Sequence, residues 1–207
     1  MEAVLSRKEQ IEKTATALFK MKGFSATSMR DLANALGIEA ASIYSHIKSK
    51  EEILQRVCFR MAQEFFDALD AAESINGTAT ERLQRAITAH VQVLTKNTAA
   101  SAVFLHEWRH LSEPHLAEYL SLRDKYEGRF RSIIRDGISS GEFSVPDEKF
   151  ATLMIFSGLN WIHTWYKPEG KMQPEEIADN LSAMLLTGLN NTQRDFLITP
   201  THLNTTN

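Results

Sequence analysis

Apolar positions recur at helical spacing along almost the whole chain. Within residues 8–21, Ile11, Ala15, Leu18 and Phe19 stand at i, i+4, i+7 and i+8, a single apolar stripe on one helix. Gly23 ends that helix. Thr27 and Ser28 then supply a cap, with Asp31 three residues on, and a short helix is predicted to about residue 36. Gly37 breaks it, and a second short helix is predicted over about 39–47. Ser49 with Glu52 is a capping box that opens a long helix through about residue 72. Asn76-Gly77 marks a turn, so a hinge is expected within or just after that long helix. Five more helices fit the remainder, at about 80–96, 100–111, 114–139, 147–166 and 174–189. Gly141, Pro146 and the Pro168 to Gly170 stretch punctuate them, and Pro174 sits where a first-turn proline is tolerated. No strand alternation of useful length and no internal repeat is present. The pattern predicts an all-α chain.

The two short helices of residues 28–47, joined through a glycine, have the dimensions of a helix-turn-helix. Leu32, Ala33, Leu36, Ile38, Ile43 and Ile47 are its inward positions, and the small Ala33 lets the second helix cross close to the first. Outward stand Glu39, Ala40, Ser42, Tyr44, Ser45 and His46. Small residues permit approach to a major groove, and hydroxyls and imidazole contact base edges or phosphates. Lys48 and Lys50 flank the next helix N-terminus, where free backbone N–H groups also attract a phosphate. Glu39 cuts against this reading, and a helical hairpin with a merely polar face shows the same pattern.

The net charge of −3 argues against a polyanion partner, but its distribution does not. Residues 1–60 carry a net +3 and the rest −6, so only the first part is expected to face DNA. Hydrophobic content of 43% and charged content of 24% are ordinary for a soluble domain. Cys58 is the sole cysteine, which rules out an internal disulfide and favours a reducing compartment, the cytoplasm. Arg56 and Arg60 beside it raise the idea of an activated, redox-sensing thiol; a packed structural cysteine is the alternative. Residues 1–12 are charged and do not resemble a signal peptide. The most apolar stretch, 150–166, is interrupted by Ser157, Asn160, His163 and Thr164. It falls short of the roughly 20 residues a membrane span needs, so a buried helix and no membrane partner are expected.

Three runs, Thr27 to Ile38, Ala41 to Ile47 and Lys48 to Leu54, strongly resemble the TetR family of bacterial repressors. The Tyr44-x-His46-Ile47-Lys48-x-Lys50 run after Gly37-Ile38 is the most specific part. The resemblance covers roughly residues 6–54, and the length and all-helical remainder agree with it. It implies a three-helix helix-turn-helix domain over 1–54, a larger helical ligand-binding and dimerisation domain over 55–192, and a flexible tail over 193–207. It implies a palindromic double-stranded operator gripped by a homodimer. Tyr44 would reach a phosphate, Ser42, Ser45 and His46 would face the groove, Thr27 or Ser28 with Lys50 would grip backbone, and Arg30 would contact base or phosphate; Ala40 and Lys48 are the remaining expected DNA contacts. Ser45 stands where many relatives carry a second aromatic. An activator would share all of these residues.

The family also implies an effector pocket between the C-terminal helices. His106 to Leu111, Leu122 to Glu127, Gly141 to Phe143 and Asn160 to Gly170 resemble a branch that regulates fatty-acid and sterol degradation in response to acyl-CoA thioesters. Phe104, Trp108, Arg109, Arg123, Tyr126, Phe130, Asn160 and Trp161 are the expected ligand contacts, with His163 a further polar group. An acyl-CoA or another apolar small molecule would serve as effector, and no cofactor is expected. Leu153, Phe156, Ser157, Asn160, Ile177, Leu181, Met184, Leu185 and Gly188 are the expected dimer face, two helices from each subunit. One motif points elsewhere. His106-Glu107-Trp108-Arg109-His110 is a literal H-E-x-x-H, which on a helix offers two zinc ligands and a general base, as in a metalloprotease. His115 or Glu118 is the nearest third ligand, but Glu113-Pro114 breaks a helix just beyond. No metal site and no enzyme are expected, and no phosphate-binding glycine loop is present.

Overall fold

The computed structural model describes residues 5–189, so the expected tail at 193–207 lies outside the described residues. Among them stand nine α-helices: α1 (Arg7–Lys22), α2 (Met29–Leu36), α3 (Ala40–Tyr44), α4 (Lys50–Glu73), α5 (Ala79–Lys96), α6 (Thr98–His106), α7 (His115–Ser140), α8 (Glu148–Trp165) and α9 (Pro174–Leu189). A 3-10 turn, Glu107–His110, follows α6.

Local chemistry sets most of the boundaries. Reciprocal capping boxes, Ser6 with Glu9, Ser28 with Asp31 and Thr78 with Glu81, satisfy the first free N–H groups of α1, α2 and α5. Gly37 ends α2 in a left-handed conformation (φ 64°), which a side chain would strain. Glu142, far away in sequence, adds a second cap to α5. Its two carboxylate oxygens accept the Ala79 and Thr80 N–H groups at 3.0 and 2.9 Å. Those bonds hold its pKa at about 2.

Helices α1 to α3 form a small head, and α5 lies at the centre of the remaining bundle, packed on α4, α7, α8 and α9. A single buried cluster runs from Ile11 and Phe19 in the head through Leu54, Cys58 and Phe65 of α4 into Phe130, Ile155 and Ala178. The boundary expected between residues 54 and 55 therefore falls inside α4, with no linker at that point.

Two elements differ from the periodic reading. Helix α3 stops at Tyr44, because His46 N–H reaches back only to Ile43 O (2.9 Å) and the chain turns before Ile47 plugs the core. The helix expected over 100–111 begins earlier, on the Asn97 cap, and tightens into the 3-10 turn after His106. There Glu107 is bonded to the head, while Trp108 stacks on Tyr119 with ring centroids 5.5 Å apart.

Candidate nucleic-acid interface and ligand cavity

Helices α2 and α3 cross over Leu32, Ala33, Ile43 and Ile47, all buried, and this fixes which side of α3 is left outside. Ser42, Ser45 and His46 are exposed, and Tyr44 shows 55% of its surface, unusual for so large a ring. Arg30 and Lys48 are exposed on either side and make no ion pair among the described residues. Tyr44, Lys48 and Ser49 line one side of a depression whose other side is the 25–29 segment. The N-termini of α2 and α4 both open toward it. Backbone N–H groups, hydroxyls and cations thus converge on one shallow surface, the arrangement a phosphate backbone needs.

Three expected contacts are placed differently. The Thr27 side chain is buried, and its hydroxyl donates to Gly23 O at 2.8 Å, closing the turn after α1. Lys50 is turned inward. Its ammonium donates to Phe24 O (2.9 Å) and Thr27 O (3.0 Å) and lies 4.4 Å from the centre of the Phe24 ring. It ties α4 to the loop ahead of α2. Ala40 is half-buried and packs against the core. Among the described residues Lys48, like Arg30, is an unpaired cation on this surface, and Lys50 is not.

Between α4, α5, α6, α7 and α8 lies a cavity of about 290 Å³. Of the expected contacts, Phe104, Trp108, Arg109, Arg123, Tyr126 and Asn160 line it. Both arginines lie over the Trp108 ring, their guanidinium carbons 4.7 and 5.6 Å from its centre, and both are exposed. Phe130 does not reach the cavity; it is fully buried behind Tyr126 and Phe156. Trp161 lies on the opposite side of α8 and is 64% exposed. His163 is taken up by His106, the two Nε2 atoms being 2.6 Å apart. Phe65 and His90 line the cavity too, and the sequence reading missed both. His90 stands on the apolar row Leu83, Ile87, His90, Leu94 of α5 (i, i+4, i+7, i+11), a signal that was there to be read.

The outer face of α8 and α9 is apolar and uncovered. Leu153, Met154 and Trp161 are exposed there with Met184, which shows 75% of its surface. Ser157 and Gly188 are exposed as well, with Leu181 and Leu185 half-buried beside them. A Cβ on Gly158 would meet Leu181 at 3.3 Å, so the two helices touch at the glycine. Phe156 and Ile177, expected on this face, point into the core, and Asn160 faces the cavity. Positions three or four apart share a face, and Leu153, Ser157 and Trp161 form the outward row that excludes these neighbours.

The two H-E-x-x-H histidines do not converge, although Glu107 and His110 lie 3.5 Å apart. The motif straddles the α6 end and the 3-10 turn, so the two histidines lack their helical i, i+4 geometry. His106 turns to His163, and Glu107 accepts the Phe24 N–H at 3.1 Å. His110 stacks on the Phe24 ring, 5.1 Å between centres. Among the described residues no three His, Cys, Asp or Glu side chains are grouped to hold a metal ion. Nor is Cys58 an activated thiol. It is fully buried, and burial pushes its pKa up to about 12. The neighbouring Arg56 and Arg60 point instead at Glu12, a buried carboxylate of α1. Among the described residues no helix is long and apolar enough to cross a membrane.

Comparison with known proteins agrees with this arrangement. Residues 11–57 match the family of bacterial regulatory proteins, tetR family, and residues 76–189 match the tetracyclin repressor-like C-terminal domain. The chain is 26% identical to the HTH-type transcriptional repressor KstR2 of Mycolicibacterium smegmatis, over 92% of this chain and 94% of that one. The structure of the ketosteroid transcriptional regulator KstR2 of Mycobacterium tuberculosis superposes with a TM-score of 0.86 at 23% identity, covering 92% and 98% of the two chains. AibR in complex with isovaleryl coenzyme A and operator DNA superposes at 0.77 with 25% identity, covering 87% and 98%. The residues facing outward on α3, the helical core behind them and the two matched segments together place this chain in the TetR family of transcriptional regulators.

Proposed function

We propose that the protein is a repressor that grips a palindromic operator as a homodimer in the cytoplasm and releases it when a compact, anionic, amphipathic effector fills the cavity. The observation that carries this reading is the 3-10 turn. Two of its four residues, Trp108 and Arg109, are cavity wall. The other two, Glu107 and His110, hold Phe24 and Ser25 of the head. A ligand that displaces one pair displaces the other. Half-sites about 34–36 Å apart tolerate little change in head separation, so a small shift becomes a loss of affinity.

The cavity favours a class of effector. Its volume of about 290 Å³ lies near the lower end of ligand pockets, roughly 300–1,000 Å³. It takes a short acyl group and leaves a charged carrier outside, beside Arg109, while Arg123 is shared with Asp124 and Glu127. A relative of the same fold is solved with a short acyl thioester of coenzyme A and operator DNA, which supports a short acyl-CoA over a long-chain one. The uncovered apolar face of α8 and α9 supports the dimer.

The test is titration of the full-length protein on DNA from upstream of its own gene, at several salt concentrations and with acyl-CoA thioesters of increasing length. A salt-sensitive, sequence-specific complex that short thioesters dissolve is the expected result. Failure to form any specific complex would overturn the DNA-reading role. A complex indifferent to every thioester would remove the acyl-CoA effector alone.

A further inference from the structure

Six acids lie between residues 5 and 60, and five of them are committed within the protein. Glu9 accepts the Ser6 N–H, and Asp31 accepts the Ser28 N–H beside Lys22. Glu12 is held by Arg56 and Arg60. Glu51 accepts the Ser112 N–H at 2.9 Å, and Glu52 accepts the Lys48 N–H at 2.8 Å beside Lys8. Glu39 is the sixth. Its side chain is exposed and caps no helix, and among the described residues it has no hydrogen-bond or ion-pair partner. Arg30 and Lys48, unpaired on the same surface, do not pair with it.

The place of this free carboxylate is fixed by packing. Ile43 and Ile47 are buried and Ala40 packs against the core, which turns the opposite side of α3 outward. The Glu39 carbonyl accepts the Ser42 N–H at 3.0 Å, and residues three apart share a face, so Glu39 stands in line with the exposed Ser42. That is the side offered to the groove. A carboxylate there is repelled by the phosphates and can only accept hydrogen bonds. The donors on the major-groove edge are the amino groups of cytosine and adenine. The adenine amino group lies between two acceptors, its own N7 and O4 of the paired thymine. The cytosine amino group has an acceptor on one side only, O6 of the paired guanine. Cytosine therefore suits a carboxylate better than adenine does.

We infer that Glu39 reads a cytosine in each operator half-site, its carboxylate accepting from the N4 amino group. This rests on the operator-binding reading above and sharpens it. Glu39 sets which sequence is bound and lowers affinity for DNA in general, whereas Lys48 and Arg30 raise affinity for any duplex.

The experiment uses the full-length protein without effector, as wild type, Glu39→Gln and Glu39→Ala. An operator is selected from randomised duplexes by the wild type. Each position is then changed to the other three bases, and binding is read by fluorescence polarisation beside a duplex of unrelated sequence. Wild type is expected to prefer cytosine by roughly tenfold at one position, repeated by symmetry in the other half-site. Glu39→Gln should move that preference to adenine, because a carboxamide both accepts from N6 and donates to N7. Glu39→Ala should lose the preference and bind the unrelated duplex more tightly than wild type does. Base preferences unchanged in both variants overturn the inference. So does a gain in affinity that is equal for every sequence, which would mean a charge near phosphates alone, or a lowered melting temperature with preferences intact. In each of those cases the operator reading survives. If wild type selects no sequence at all, both fall.

Discussion

At the scale of single residues, neighbouring cations do different work. Tyr44 is held outward by the burial of Ile43 beside it, so in the proposed role its loss would remove a contact with DNA and little packing. Tyr44→Ala should weaken operator binding by about 1–3 kcal/mol with an unchanged melting temperature, as fluorescence polarisation and thermal denaturation will show. Lys48→Ala should lower affinity uniformly and reduce the salt slope by about 1, because it is a free cation at the phosphate surface. Lys50→Ala should instead lower stability by about 1–2 kcal/mol, since its ammonium satisfies the Phe24 and Thr27 carbonyls. Nothing in the spacing of Lys48 and Lys50 distinguishes them; only the course of the loop ahead of α2 does. Buried and capped titratable groups set the pH response. His90 has a depressed folded pKa of about 3, so the unfolded chain binds its proton first, and stability is lost as pH falls from about 6.5 toward 3. Glu142, held at about 2 by two backbone N–H donors, contributes stability above the ordinary carboxylate range that is lost as pH falls from about 4.5 toward 2. Melting temperatures should therefore fall steadily from pH 7 to 2, and Glu142→Gln should lessen, without abolishing, the part of the fall below about 4.5, since Asp31 is held at about 2 as well.

At the scale of elements, the 3-10 turn after α6 connects cavity and head. Periodicity predicts a plain helix over this stretch, and a plain helix would carry Glu107 and His110 around with Trp108 and Arg109. Tightening at His106 separates the two pairs. Glu107→Ala removes the acceptor of the Phe24 N–H while leaving the cavity wall in place. The variant should bind effector as the wild type does, yet require at least tenfold more of it to release DNA. Calorimetry beside a release assay separates the two quantities, and parallel losses in both would mean the turn is only part of the wall. The H-E-x-x-H string shows the same point from the other side. Four residues suffice to write it, but a zinc site needs three side chains converging, and here each has another partner.

At the scale of the whole molecule, the proposed dimer rests on the uncovered apolar face of α8 and α9, where Leu153, Met154, Trp161 and Met184 are exposed. Met184 and Trp161 are its most exposed large side chains among the described residues. Met184→Glu should therefore split the dimer without unfolding either copy. Light scattering should report one chain's mass in place of two, and operator affinity should fall by more than tenfold because each head then binds its half-site alone. A variant that remains dimeric would place the two-fold axis elsewhere.

Helix number, the approximate helix ends and the helix-turn-helix were legible along the chain because they rest on local physics. Apolar spacing, capping residues and glycines act within a few positions of one another, and the Thr27 to Lys50 run carries a family's signature. The direction in which individual side chains point was not legible, because it depends on neighbours distant in sequence. Lys50 turns inward to Phe24, Glu107 reaches back across more than eighty residues to the same loop, and Phe156 and Ile177 are drawn into the core that Trp161 and Met184 leave. The cavity itself belongs to no segment. It is the space five helices leave when α5 packs at their centre, and only that packing brings His90, Tyr126 and Asn160 to one floor and two arginines to its mouth.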